Sequence, residues 1–128
     1  KAGAAEKNPF SMERVLANRD RGVVSVIDFT ADWCPNCKLV EKTVLEDERI
    51  LRLFAREDID FMVADITVAH PEAEALMQVM GSSSIPFLAI LPPGEGFKTP
   101  ACVRDIYSVR NVIEGIAYAE KFIKKKGK

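Results

Sequence analysis

Cysteine is scarce in this 128-residue chain, which holds three, with a single histidine and a single tryptophan. Three cysteines do not build the cross-linked framework of a small secreted scaffold. An excess of charge of one sign is lacking too. Lysine and arginine number 18 against 19 aspartates and glutamates, for a net charge of −1, so nothing in the balance points to nucleic acid. No apolar run approaches the ~20 residues that a membrane-spanning helix needs, and no signal-peptide pattern opens the chain. Outside the two ends there is no internal repeat or low-complexity segment. What remains is ordinary globular material, 48% hydrophobic and 29% charged, at a length that suits one domain with a substantial core.

Residues 1–9, "KAGAAEKNP", are small, polar and aperiodic and read as a linker; residues 10–123 form the expected domain. Residues 124–128 are a basic tail. The C-terminal "KFIKKKGK" has five lysines and no acid, which reads as a solvated end, with contact to anionic lipid headgroups as the sharper alternative. Starting at Lys1 without Met, the chain is read as a processed product or an excised piece, which leaves room for a membrane-attached parent protein.

Within the domain, "SMERVLANR" places Met12, Val15 and Leu16 at helical spacing after a Ser11 cap. "GVVSVIDF" is β-branched and almost continuously apolar, as a strand buried on both faces must be. A helix is expected from Cys34 to about Thr43, and "DERILRLFAR" reads as a second one. "IDFMVADI" is the next core strand. "PEAEALMQVM" opens on Pro71 and acids, both suited to a first helical turn, and Gly81 stops it. A strand over Phe87–Leu91, a returning strand in "ACVRDIY" and a last helix capped by Ser108 complete the order α-β-α-α-β-α-β-β-α. The first half is a βαβ unit, which demands parallel strands. The whole is therefore an α/β fold, a central mixed sheet with helices on both faces.

The chemistry concentrates in "DFTADWCPNCKLVE", Asp28 to Glu41. Cys34 and Cys37 fall in the first turn of a helix that Pro35 helps to start. Residues three apart in a helix lie ~5 Å apart at Cα, within disulfide range. Cys34 is nearer the helix N-terminus, where free N–H groups and the macrodipole favour a thiolate; Cys37, one turn in, is expected to be more buried. That asymmetry makes Cys34 the attacking sulfur and Cys37 the resolving one. A zinc site would need a second pair, and only Cys102 and His70 are available to complete it. A c-type haem attachment would need histidine after Cys37, where Lys38 stands. A purely structural thiol pair is the bland alternative.

Two acids bear on the pair. Asp28 lies in an otherwise apolar strand, on the face of Val24 and Val26, where burial would make it a proton acceptor near neutrality. Glu41, four residues after Cys37, shares its helix face at ~6 Å between Cβ atoms. Both are expected beneath the cysteines, exchanging protons with Cys37. The plainer readings are a hydrogen-bonded structural acid for Asp28 and a solvated helix charge for Glu41. Trp33 on its own reads equally as core. Cys102 reads as a small buried hydrophobe, His70 as a loop residue without catalytic role, and Met77 and Met80 as core. Ile85-Pro86 opens a strand after a polar turn, where a cis bond is allowed although most X–Pro bonds are trans.

With these pieces in order, the chain resembles the thioredoxin superfamily over about Phe10 to Ile123, through "VIDFTADWCPNCK" and "SSSIPFLAIL". More narrowly it is similar to the C-terminal soluble domain of bacterial membrane thiol:disulfide interchange reductases of the DsbD type, through "ADWCPNCKLVEKTVLED" and "ADITVAHPEAEALMQVMGSSSIP". The resemblance implies a thioredoxin-like three-layer α/β/α sandwich, with Cys34 the exposed nucleophile of a redox-active disulfide with Cys37. It implies that Pro86 is cis beside them, that Ile85 offers backbone groups to a substrate's extended chain, and that Trp33 flanks the pair. Asp28 and Glu41 map onto the acids that modulate it. The sequence departs from thioredoxin in having Pro35-Asn36 between the cysteines, no glycine in "RDIYSV", and a long hairpin in "LPPGEGFKTP".

The expected function is a thiol–disulfide oxidoreductase, a protein-disulfide reductase that needs no metal or organic cofactor. Its partners would be disulfide-bearing proteins and an upstream thiol donor, with a transmembrane domain of the same parent protein as one candidate. The fragment itself is expected to be soluble and monomeric. The narrower resemblance implies the periplasmic side of a bacterial inner membrane, with the cytoplasm as the alternative. Competing readings are a disulfide oxidant or isomerase, and a redox-silent binding or metal-carrying module.

Overall fold

The computed structural model describes residues 8–123. Residues 1–7 of the linker expected over 1–9, and the tail of residues 124–128, lie outside the described residues. Five strands form one sheet in the order β1-β3-β2-β4-β5: β1 (Asn8–Pro9), β2 (Val24–Thr30), β3 (Ile59–Asp65), β4 (Phe87–Leu91) and β5 (Ala101–Arg104). β1 and β2 run parallel to β3, β4 antiparallel to β2, and β5 antiparallel to β4. The sheet is mixed, as the βαβ-then-hairpin reading requires. Asn8 and Pro9, assigned to the linker from their polarity, instead pair with Met62 and Val63 as a short edge. Only an edge accepts a proline so easily.

Each strand of the central pair is buried on both faces, so two cores form. On one face Val24, Val26, Phe61, Leu88 and Ile90 meet α2 (Pro35–Val40), α3 (Glu48–Phe54) and α5 (Val109–Glu120). On the other, Ile27, Phe29, Met62 and Phe87 meet α1 (Met12–Arg21) and α4 (Pro71–Val79). The result is a three-layer α/β/α sandwich. Its helix starts follow local chemistry: Ser11 and Ser108 accept N–H groups at the starts of α1 and α5, and Pro71 stands at the start of α4.

Two local departures matter for the site. The helix expected to reach Thr43 is α-helical only to Val40, then widens into a π-helical turn over Glu41–Leu45, closed by Glu46 N–H donating to the Glu41 carbonyl at 2.9 Å. The extra residue lets Val44 and Leu45 both reach the core while Glu41 stays at the sheet. After β5, where a glycine was missing, Asp105 takes the left-handed conformation at φ 61°, which Asp tolerates better than most residues. The long hairpin holds a 3-10 turn over Gly94–Lys98.

Candidate active site

β2 ends at Thr30 and the chain turns through Ala31, Asp32 and Trp33 into Cys34. Cys34 is the N-cap of α2, in extended backbone conformation, and its Sγ accepts the Cys37 N–H at 3.2 Å. Pro35 fills the first helical position, where its missing N–H costs nothing. Cys34 and Cys37 are joined by a disulfide, with Cα atoms 5.3 Å apart. Cys37 is 1% exposed and Cys34 6%. The expected order of burial holds, but Cys34 is not broadly exposed. Ala31, Ile66 and Ile85 pack against the pair.

The Ile85–Pro86 peptide is cis, and the Pro86 carbonyl accepts the Asp105 N–H at 3.0 Å. That bond fixes the loop after β5 to the loop that carries Ile85. Trp33 is not core: it is 62% exposed, with its indole N–H donating to the Thr67 carbonyl at 3.3 Å. Thr67 also receives the Asp32 N–H at 2.8 Å, and its own hydroxyl and N–H donate to Asp65. Those bonds, the Thr67 hydroxyl foremost, hold the Asp65 carboxyl below its usual range. A tryptophan tethered at its edge in this way presents an open aromatic face beside the disulfide.

Asp28 is 3% exposed on the face of Val24 and Val26, as alternation places it. Glu41 is half-buried and receives the Thr30 hydroxyl at 2.9 Å. The two carboxylates line one cavity of about 140 Å³, with Glu46, Leu45, Leu51, Phe54, Phe61 and Val63 around them. The structure thus forms two groups: the disulfide with Ile85, and Asp28 with Glu41. Cys102 and His70 join neither. Cys102 lies in β5, where burial pushes its thiol up. His70 is more than a loop residue, since it caps α4 through Nδ1 and rests edge-on against Phe10.

The model of the thioredoxin-like family matches residues 11–93. This chain belongs to the thioredoxin-like family. It is 33% identical over 84 residues to the thiol:disulfide interchange protein DsbD of Haemophilus influenzae (strain PittEE), covering 63% of this chain and 14% of that protein. To DsbD 1 of Pseudomonas aeruginosa it is 32% identical over 88 residues, covering 67% of this chain and 14% of the relative. The chain therefore spans about a seventh of the length of these relatives. Among solved structures it is similar to the oxidised C-terminal domain of Neisseria meningitidis DsbD, with TM-score 0.64, 19% identity, and coverage of 89% of this chain and 99% of that one. It is likewise similar to the short form of spinach chloroplast thioredoxin f, with TM-score 0.62, 19% identity, and coverage of 93% and 97%. At those identities the likeness is one of fold. The chain is a thioredoxin-like domain related to the DsbD interchange proteins, with a CxxC disulfide at Cys34 and Cys37.

Three residues around this thioredoxin-like centre escape a reading of the sequence. Thr30 and Thr67 carry no motif of their own, and only folding brings one to Glu41 and the other to Trp33. The third is Tyr107, buried after β5, whose hydroxyl has no hydrogen-bond partner among the described residues. An alternation pattern marks its position as core but does not show that its hydroxyl would be left without a partner.

Proposed function

We propose that this domain, taken as residues 10–123 between a linker and a basic tail, is a protein-disulfide reductase working by dithiol–disulfide exchange. The observation that carries the proposal is the Cys34–Cys37 disulfide at the tip of α2, with Cys34 the less buried sulfur. In the reduced form, the Cys37 N–H that meets Cys34 Sγ and the helix N-terminus stabilise a Cys34 thiolate. The thiolate attacks one sulfur of a partner's disulfide; that bond breaks, the partner's other sulfur leaves and takes a proton, and a mixed disulfide remains. Cys37 then gives its proton to Asp28, helped by Glu41, and its sulfur attacks Cys34 Sγ. The mixed disulfide breaks, the partner departs with two electrons gained, and the Cys34–Cys37 bond is restored. Trp33, Ile85 and Pro86 would form the docking surface, with the Ile85 backbone meeting an extended segment of the partner.

The physiological setting follows the relatives. The domain would face the periplasm as part of a larger inner-membrane protein, and an upstream thiol donor would reduce it again. Among the described residues no helix is long and apolar enough to cross a membrane, so such an anchor would belong to the parent protein. Pro35-Asn36 between the cysteines bears most directly on the direction of electron flow. A reduction potential above about −200 mV would favour an oxidant or isomerase over a reductase. The deciding experiment is reduction of a protein disulfide by the dithiol form, compared with Cys34→Ser. Wild-type turnover with loss to background in the variant is expected; equal activity in both sinks the mechanism.

A further inference from the structure

Residues 81–86 link α4 to β4 and carry Ile85 and Pro86 to the disulfide. The segment leaves the helix at Gly81, in the left-handed region at φ 83°, which glycine adopts without strain. Inside it, the Ser82 N–H donates to the Met77 carbonyl at 2.9 Å, and the Ser82 hydroxyl donates to the Ser84 carbonyl at 3.1 Å. Both ends of the segment meet one side chain, Arg104. Before Gly81, Arg104 Nη2 donates to the carbonyl of Met80, the C-cap of α4, at 3.0 Å. After Pro86, its guanidinium lies over the Phe87 ring, 5.3 Å from the ring centre. The sheet puts it there: Arg104 in β5 is the register partner of Phe87 in β4. The next residue, Asp105, donates its N–H to the Pro86 carbonyl at 3.0 Å. Arg104 is exposed and, unlike Arg14 or Arg56, forms no ion pair among the described residues. A planar guanidinium can donate from its edge while its face rests on an aromatic ring, and a helix end offers carbonyls that lack partners. A lysine or an apolar residue cannot meet both ends at once.

We propose that Arg104 is a positioning residue of the exchange, which holds both ends of the 81–86 segment and thereby sets Ile85 beside Cys34 for a protein partner. The inference deepens the dithiol reading above and rests on it. Ile85 packs against the Cys34–Cys37 pair. A displacement of the segment therefore moves the backbone that would meet the partner's extended chain relative to the sulfur that must be attacked. The contacts of the guanidinium go to Met80 and Phe87 and to neither sulfur, so its effect falls on docking and not on the sulfur chemistry. Binding that is equal in the ground and transition states appears in KM and leaves kcat unchanged.

Arg104→Met keeps a long side chain over Phe87 and removes the donor. Two measurements decide the role: steady-state reduction of insulin with dithiothreitol as the recycling reductant, and hydrogen exchange of the Ser82 and Asp105 amides, both bonded in the structure. Expected are a KM for insulin raised about fivefold at constant kcat, and exchange about tenfold faster at those two amides, with a smaller change in β2. Arg104→Lys, which can still donate to the Met80 carbonyl, should recover most of both effects. A wild-type KM in Arg104→Met overturns the inference and leaves the exchange reading intact. A fall in kcat at constant KM overturns it as well, and so does equal acceleration of all three sets of amides, which would make Arg104 a residue of general stability only. A lysine variant no better than the methionine one removes the hydrogen bond from the account and also overturns it. A wild type that reduces neither insulin nor oxidised glutathione overturns the exchange reading, and the amides then still decide whether Arg104 holds the segment.

Discussion

Two aspartates are buried in the paired core strands, on opposite faces of the sheet, and they keep different company. Asp60, in β3, is 8% exposed and surrounded by donors: Arg14 Nε at 2.6 Å, Arg14 Nη2 at 3.2 Å, Asn18 at 2.8 Å and Asn8 at 3.1 Å. Burial alone would raise its carboxyl, but the bonds from Arg14 and Asn18 outweigh burial and hold it below the ordinary range. Asp28, in β2, is more deeply buried at 3%. It shares a cavity with a second carboxylate, Glu41, and its charge acts on the Tyr107 phenol. The first arrangement fixes a charge permanently and ties α1 and β1 to β3. The second places a buried acid beside another carboxylate, the arrangement that the proposed exchange would use. Burial of an acid is therefore not by itself a functional sign; what faces Asp60 marks it as structural, and the proposed exchange assigns the other role to Asp28.

The largest effect expected from breaking this comparison is on rate. Asp28→Asn keeps the shape and removes the proton acceptor, so exchange at pH 7 should fall about 100-fold, within the usual range for a general base. Folding stability should hold or improve, since a buried charge is removed. Stopped-flow kinetics and a denaturant titration together give the answer, and an unchanged rate would move Asp28 to the structural side. Asp60→Ala should do the reverse. It leaves Arg14 and Asn18 facing a void and should cost about 2–3 kcal/mol, moderated because Arg14 is half exposed. Exchange by the folded fraction should remain at the wild-type rate.

Much of this contrast can be read in the sequence, but unevenly. The run of Val24 to Thr30 announces a doubly buried strand, and alternation puts Asp28 with Val24 and Val26 on the correct face. The CxxC at a strand-to-helix junction, with proline after its first cysteine, fixes the geometry of the disulfide through local rules alone. What is not legible depends on tertiary partners. Trp33 reads as core or surface until the Thr67 carbonyl holds its indole outside. Glu41 leaves α-helical geometry because the turn after Val40 must serve both Thr30 and the core. The lack of glycine in "RDIYSV" is visible, but that Asp105 absorbs the left-handed turn and Tyr107 enters the core beyond it is not.

Acid titration sharpens the contrast further. Because the folded carboxyl of Asp60 lies below its ordinary value of 3.8, its contribution to stability is complete above that value and is lost as pH falls through the folded one. Thermal melts below about pH 4 should therefore show a loss of stability that Asp60→Asn reduces, the remainder coming from other lowered carboxyls such as Asp65. Asp28→Asn should leave that acid slope in place, and equal flattening by both variants would erase the distinction between the two sites.

The smallest effect tests whether the acid proposed to assist the exchange is held at all. Thr30 is 6% exposed and donates its hydroxyl to Glu41 at 2.9 Å. Thr30→Val removes that donor with little change of shape in a strand that favours β-branched residues. Water can reach half-buried Glu41 and replace part of the bond, so the expected loss is about 1 kcal/mol in a denaturant titration. Exchange should slow only about threefold, because Asp28 remains to take the proton and Glu41 assists it. A loss of rate as large as that of Asp28→Asn would mean that Glu41, fixed by Thr30, is the principal acceptor and that Asp28 serves to position it.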